Sequence, residues 1–243
     1  MLDFIKKLFK IIKNAILFPL IFKDFFNFKK INRNSRFSLK LRNIYPRPFE
    51  KTFSTHFDRH YVYHTAWAAR VLKNLKPEKH IDISSSLYFS GIVSAFVPVD
   101  FYDFRPAELE LSNFSSKQGN LLSLPFADNI IKSLSCMHVV EHVGLGRYGD
   151  KLDPDGDLKA IKELKRVLAV GGSLLFVVPM GKLKIMFNAH RVYSYEQVKE
   201  YFIDLTIREF AFIPEKEGQI IYNATPEIIG KEDYGCGCFW FTK

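Results

Sequence analysis

Cysteine is scarce in this chain of 243 residues: there are three, Cys136, Cys236 and Cys238. So small and odd a set excludes a disulfide framework and points to reduced thiols in a cytoplasmic setting. Cys236-Gly237-Cys238 is half of a metal motif in form. No second Cys or His pair lies near it in sequence, so these read as strand residues and no metal is expected. Long apolar runs are missing too. The longest, Ala15 to Phe22, has eight residues and contains Pro19, against about 20 needed to cross a bilayer. No small-residue cleavage site follows it, so it is not a signal peptide. Acidic residues are rare at the start: residues 1–51 hold 13 Lys+Arg and 3 Asp+Glu. Residues 52–243 hold 22 and 23, which leaves the body neutral. A neutral body lacks the clustered cations that phosphate contacts need, which argues against a nucleic-acid enzyme.

What is present fits one α/β domain with an attachment. Hydrophobic residues at 47% and 24 Phe are ample for a core. The division expected is a basic amphipathic extension, 1–51, and a body, 52–243. In the extension Phe4, Ile5, Leu8, Phe9, Ile12 and Ile16 alternate with Lys6, Lys7, Lys10 and Lys13 at helical spacing. One reading lays residues 1–30 on an anionic membrane surface, which would place the protein peripherally at the inner face. The other packs an accessory helix on the body.

From about residue 58 strands and helices alternate. Asp58 caps a helix holding Trp67, Ala68, Val71 and Leu72. A strand follows at His80–Ile83, then a loop and a short helix near "GIVSAF". The next strand ends at Asp103. "KQGNLLSLPFADN" reads as a short strand and a loop, and "IIKSLSCMHVVEH" as a buried strand with a polar end. Asp157 is expected to cap "LKAIKELKRVL", in which Ile161, Leu164 and Leu168 share a face and which Gly171-Gly172 ends. "SLLFVVP" is an apolar strand, and Ser194 with Gln197 forms a capping box. Two last strands are "TIREFAFI" and "CGCFWFTK". Such alternation implies a doubly wound, mostly parallel sheet. Its ligand site lies beyond the carboxyl ends of the strands, where strand order reverses.

The loop after the first strand, Ser84-Ser85-Ser86-Leu87-Tyr88, has no glycine. Asp103 lies 21 residues after Asp82, the spacing at which a second-strand carboxylate accepts bonds from both hydroxyls of a ribose. That suits an adenosine cofactor. A dinucleotide also needs a glycine cradle for its pyrophosphate. S-adenosylmethionine has no phosphate, so a serine loop can hold it, with its amine on Asp82 and its carboxylate on loop N–H groups or on Ser84 and Ser86.

Over about residues 78–243 the chain resembles the class I S-adenosylmethionine-dependent methyltransferases. The resemblance rests on "DISSSLY", Asp103, "GNLLSLPFADNIIKSLSCMHVVEHV" and "ELKRVLAVGGSLLFVVP". It implies a Rossmann-like sheet of seven strands, S-adenosylmethionine as cofactor, and Asn120 near adenine, where the family often has an acid. Ser84, Ser86 and Tyr88 stand at its glycine positions, which narrows the methionine end. More closely, "HVVEHVGLGRYGDKLDPDGD" with "FNAHRVYS" resembles a branch known as a domain of unknown function, with no activity to carry over.

Three constellations remain. His138, Glu141 and His142 match the H-x-x-E-H pattern of inverted zinc peptidases. That pattern needs both histidines on one helix face, and here a strand end and a glycine-rich loop stand instead. On the rim, His138, His142 or His190 is a candidate base toward a hydroxyl, and Glu141 orders the loop. Asp150, Asp153, Asp155 and Asp157 read as a turn and a cap rather than a cation loop. Phe187 to Ser194 reads as a loop whose Asn188, His190 and Arg191 wall a polar pocket, with Arg191 free for an acidic substrate group. The reaction expected is O-methylation of a glycan or similar polar precursor. A non-catalytic binding protein with a degenerate cofactor site is the alternative.

Overall fold

The computed structural model describes residues 18–33, 36–47 and 50–243. Residue contacts divide the chain into two units, Met1–His56 and Phe57–Lys243, five residues beyond the expected boundary. In the first unit residues 18–31 are helical (α1), and a short 3-10 turn follows at Leu41–Asn43. Phe18, Leu20, Phe22, Phe26, Phe28 and Ile31 of α1 are exposed. The expected apolar stripe Phe4 to Ile16 lies outside the described residues.

The second unit opens with α2, Arg59–Leu75, whose N-cap Asp58 accepts a hydrogen bond from the Tyr61 N–H. The elements then run β1 (His80–Ile83), α3 (Leu87–Val93), β2 (Val99–Asp103), β3 (Phe114–Gln118) and β4 (Ile131–Met137). After a 3-10 turn at Val140–His142 come α4 (Gly156–Val167), β5 (Leu168–Met180), β6 (Lys184–Met186) and β7 (His190–Val192). The chain ends with α5 (Tyr195–Tyr201), β8 (Thr206–Ile213), β9 (Ile221–Tyr222), α6 (Pro226–Ile229) and β10 (Gly235–Thr242).

The sheet has eight strands in the order β3-β2-β1-β4-β5-β10-β8-β9. Strands β1 to β5 are parallel, and β10 runs antiparallel between β5 and β8. The eighth strand corrects the expected seven: two-residue β9 adds to the β8 edge. Period-two burial makes both faces apolar. Leu174, Phe176 and Val178 of β5 join one core with Ile161 and Leu164 of α4 and Phe202 after α5. Leu175 and Val177 join the other with Trp67, Val71 and Leu72 of α2 and Phe89 of α3. Helices on both faces make the sheet doubly wound.

Local readings need correction at α4. Its N-cap is Asp155, not Asp157. Asp157 is buried in the first turn, where its carboxylate accepts from the Tyr193 hydroxyl at 2.9 Å. Leu168 is the C-cap and starts β5, so Gly171-Gly172 lies within a strand rather than ending the helix. The segment before Ser194 is a β6–β7 hairpin, not a loop. The Ser194–Gln197 capping box is present.

Candidate active site

Chain order reverses between β1 and β4, and two adjoining cavities open beyond the strand ends there. The serine loop sits at their junction. Ser84 has φ 55, a left-handed conformation that glycine adopts freely and other residues at a cost of about 1–2 kcal/mol. Its N–H donates to the Tyr102 carbonyl at 2.8 Å, and its hydroxyl to the same oxygen at 3.1 Å. The hydroxyl bond offsets part of the strain. Ser85 accepts from the Met137 N–H at 3.0 Å. The loop thus keeps a glycine-type turn without glycine, tied to β2 on one side and β4 on the other. Ser86 is half-buried and borders the second cavity.

Asp82 corrects its expected role. It is fully buried, with one carboxylate oxygen bonded to Ser135 at 2.5 Å and the other accepting from Ser90. Burial raises its pKa to about 6 against the pull of those hydroxyls. His80 extends the chain, contacting Ser133 at 2.8 Å and Ser135 at 2.9 Å. This network joins β1, β4 and α3 within the core, and Asp82 borders neither cavity.

The first cavity, about 390 Å³, is a mostly apolar cleft bordered by Asp103 and Asn120. Both lie after strand ends, β2 and β3. The Asp103 Oδ1 accepts from the Arg105 N–H at 2.7 Å, and Oδ2 has no partner among the described residues. Asn120 turns its carbonyl on the Leu122 N–H at 2.9 Å, so it offers the cleft an amide donor. The second cavity, about 500 Å³, shares Ser84, His138, His142 and Tyr148 with the first. Both volumes suit small-molecule ligands. The Tyr148 ring stands between the Arg105 and Arg147 guanidinium groups, 4.8 and 5.1 Å away, and joins the β2 loop to the loop before α4.

The histidines divide by what their nitrogens meet. His138, at φ 57 just past β4, is not on a helix, so the zinc-peptidase face does not form. Its Nδ1 meets the Glu141 carboxylate at 2.9 Å and its Nε2 meets Cys236 Sγ at 3.4 Å. Burial lowers its pKa to about 4. Glu141 is 1% exposed, burial raises its pKa to about 7, and its Oε2 has no partner among the described residues. His142 donates from Nδ1 to the Ala189 carbonyl at 2.6 Å, which leaves Nε2 unprotonated, 3.8 Å from Glu141. His190 borders the second cavity, and its buried Nε2 has no partner among the described residues. Burial lowers the pKa of both, so each is neutral near pH 7.

Arg191 is a further correction. It is buried and donates to the carbonyls of Val143 at 2.7 Å and Pro154 at 3.1 Å. It holds the loop before α4 and does not face a substrate. The acids of that loop serve the turn as well. Asp150 accepts from the N–H groups of Gly144, Gly146 and Tyr148 at 2.7, 3.3 and 3.2 Å. Asp153 pairs with Lys159. Gly144 is required here: at φ 81, a Cβ would lie 2.1 Å from the Asp153 carbonyl oxygen.

Residues 113–209 match a family model described as Caenorhabditis protein of unknown function, DUF268. That span contains Asn120, His138, Glu141, His142 and His190. No curated protein matches the chain in sequence. Solved structures do match in fold. The N-methyltransferase NodS from Bradyrhizobium japonicum, crystallised with S-adenosyl-L-homocysteine, is 16% identical over 74% of this chain and 85% of its own, with a TM-score of 0.52. The fold is that of class I methyltransferases. The protein crystallised with the Trm112 methyltransferase activator from Haloferax volcanii matches at 18% identity over 76% of this chain and 90% of its own, with a TM-score of 0.52. A [4+2]-cyclase, SpnF, also carries this methyltransferase fold at 13% identity over 72% and 81%, with a TM-score of 0.50. The methyltransferase fold alone therefore does not set the reaction.

Proposed function

We propose that the chain is an S-adenosylmethionine-dependent methyltransferase that methylates a hydroxyl on a glycan or similar polar acceptor. The observation that carries this is a pair of cavities meeting at Ser84, His138 and His142, with Asp103 at the end of β2 in the first. In this reading Asp103 accepts from ribose hydroxyls and Asn120 donates to the adenine ring. When bound, the cofactor supplies an electrophilic methyl group on a sulfonium. The chain supplies a neutral base. His142 Nε2 and His190 Nε2 can each take the proton of an acceptor hydroxyl. His138 is committed on both nitrogens and serves as wall. Tyr148 stands where the cavities meet.

The binding-protein alternative draws on one observation: with Asp82 closed off, the amine of the cofactor loses the contact expected for it. Calorimetry with S-adenosylhomocysteine separates the two readings. The wild type is expected to bind, and Asp103→Ala to weaken binding at least about tenfold, since hydrogen bonds to a charged group contribute about 1.5–3 kcal/mol each. No heat with wild type would favour the binding-protein reading.

Peripheral membrane attachment through residues 1–30 is part of the same proposal. It is supported by the exposed apolar residues of α1 and by the basic charge of the extension. No helix among the described residues is long and apolar enough to cross a membrane. Flotation with anionic vesicles should recover the full chain at low salt and less at high salt, each lysine contributing about 1 kcal/mol. Equal recovery after deletion of residues 1–30 would end this part.

A further inference from the structure

We propose that His60, His138 and Cys236 form a zinc site at the back of the acceptor cavity. The three come from α2, the end of β4 and β10. Their donor atoms lie within 4.8 Å of one another, and all three residues are buried. Two imidazoles and one thiol are a borderline-soft donor set, which favours zinc over magnesium or calcium.

The spacing supports a shared ion. Zinc binds nitrogen at about 2.0–2.1 Å and sulfur at about 2.3 Å, so a tetrahedral angle separates the two donors by about 3.6 Å. His138 Nε2 and Cys236 Sγ are 3.4 Å apart. The other nitrogen of His138 is held by Glu141 at 2.9 Å. A carboxylate behind a ligating histidine fixes the tautomer that leaves the far nitrogen free for metal. The His60 ring stacks on the His138 ring, with centroids 5.8 Å apart.

A second observation is independent of those distances. His64, fully buried, donates from Nδ1 to the His60 carbonyl, and its Nε2 has no partner among the described residues. Its ring stands edge-on to His138, with centroids 5.0 Å apart. Glu141 Oε2, behind His138, is a second buried atom with no partner among the described residues. Buried polar atoms cost about 1–3 kcal/mol each when unpaired. A water on a metal ion held by His138 would supply a partner for His64 Nε2. Binding releases the thiol proton of Cys236 to solvent.

The three residues leave a fourth position. His138, Tyr61 and Tyr234 border the second cavity, so water or an acceptor oxygen can reach that position. Three protein ligands and one open place characterise catalytic zinc rather than structural zinc. The site itself does not depend on the cofactor reading.

The test uses full-length protein made without a histidine tag and stripped with a chelator. Cobalt(II) is added as the spectroscopic substitute for zinc. The wild type should bind one equivalent with a thiolate-to-cobalt charge-transfer band that zinc abolishes. Cys136→Ser, on the other face of the sheet, should keep the band. Cys236→Ser should lose it, and Glu141→Gln should weaken binding about 10–100-fold. Absence of the band in folded wild type, or the same band in folded Cys236→Ser, overturns the site. If Cys236→Ser does not fold, the wild-type band and the Glu141→Gln affinity decide. Cobalt is read without S-adenosylhomocysteine, so failure here leaves the cofactor proposal standing, and the reverse.

Discussion

Arg191→Ala is expected to cost about 3–5 kcal/mol of stability, the range for removing one partner of a buried ionic network. Arg191 is 6% exposed and reaches four carbonyls from β7: Val143 at 2.7 Å, Pro154 at 3.1 Å, and Glu141 and Asp153 at 3.5 Å. Its Nε stands 3.6 Å from the Asp157 carboxylate. Alanine leaves the carbonyls of Glu141, Val143 and Pro154 without a donor among the described residues, Asp153 with the Gly156 N–H alone, and Asp157 with the Tyr193 hydroxyl alone. Lysine should recover less than half of the loss, because a single ammonium cannot span both Val143 and Pro154. The loop so held carries His142 and Tyr148, which border both cavities. S-adenosylhomocysteine binding should therefore weaken even where the variant is still folded. Urea unfolding read by circular dichroism checks the stability. A loss under about 1 kcal/mol would show that the loop is held by other contacts.

Local patterns mark most strands and two of the caps, but they fail at α4, where Asp155 is the N-cap and Gly171-Gly172 lies within β5, and they do not show partners distant in the chain. The strands His80–Ile83 and Thr206–Ile213 carry their own apolar pattern and end at turn residues. The Asp58 cap and the Ser194–Gln197 box close within three residues. Strand β9 is two residues long, too short for any period. The β6–β7 hairpin has no mark in the sequence, because β6 is exposed throughout and carries no alternation. Asp157 begins a helical pattern and reads as a cap. Its hydroxyl partner, Tyr193, is 36 residues on.

The site divides in the same way. Asp103 and Asn120 were legible because strand ends in a parallel sheet share one rim. The closure of Asp82 was not, since Ser135 comes from β4, 53 residues later. Nor was the cysteine–histidine pair. Cys236 and His138 are 98 residues apart in sequence and meet because β10 lies beside β5, which in turn pairs with β4. The serine loop shows a different gap. Without glycine in the loop, Ser84 adopts the left-handed turn itself and anchors it on Tyr102. Composition tells which residues take φ above zero freely, not which are held there.

Acid should unfold the body, with a net loss on the order of 5 kcal/mol between pH 6.5 and 4. Three buried histidines drive it. Burial lowers His60 and His138 from 6.5 to about 4, and His80 to about 3. Each folded imidazole resists protonation. Its contribution is complete above pH 6.5 and is lost as pH falls toward the folded value. His64, lowered well below 6.5 by burial, adds in the same direction. Two buried acids oppose this. Glu141 is raised from 4.5 to about 7 and Asp82 from 3.8 to about 6. Their contribution is complete below the unfolded values and is lost as pH rises through the folded ones, so both gain on acidification. Three imidazoles against two carboxyls leave the histidines ahead, and the margin widens below pH 4.5, where Glu141 has no more to gain. Maximum stability is expected near about pH 7.5, where the protons held by the folded carboxyls match those held by the unfolded imidazoles. A domain of this kind has about 5–15 kcal/mol in all, so the loss is large enough to bring unfolding within reach near about pH 4. The measurement is urea unfolding at a series of pH values, with chelator present so that bound metal does not contribute. A stability that stays level from pH 7 to 4 would mean that these histidines are far more hydrated than their burial implies.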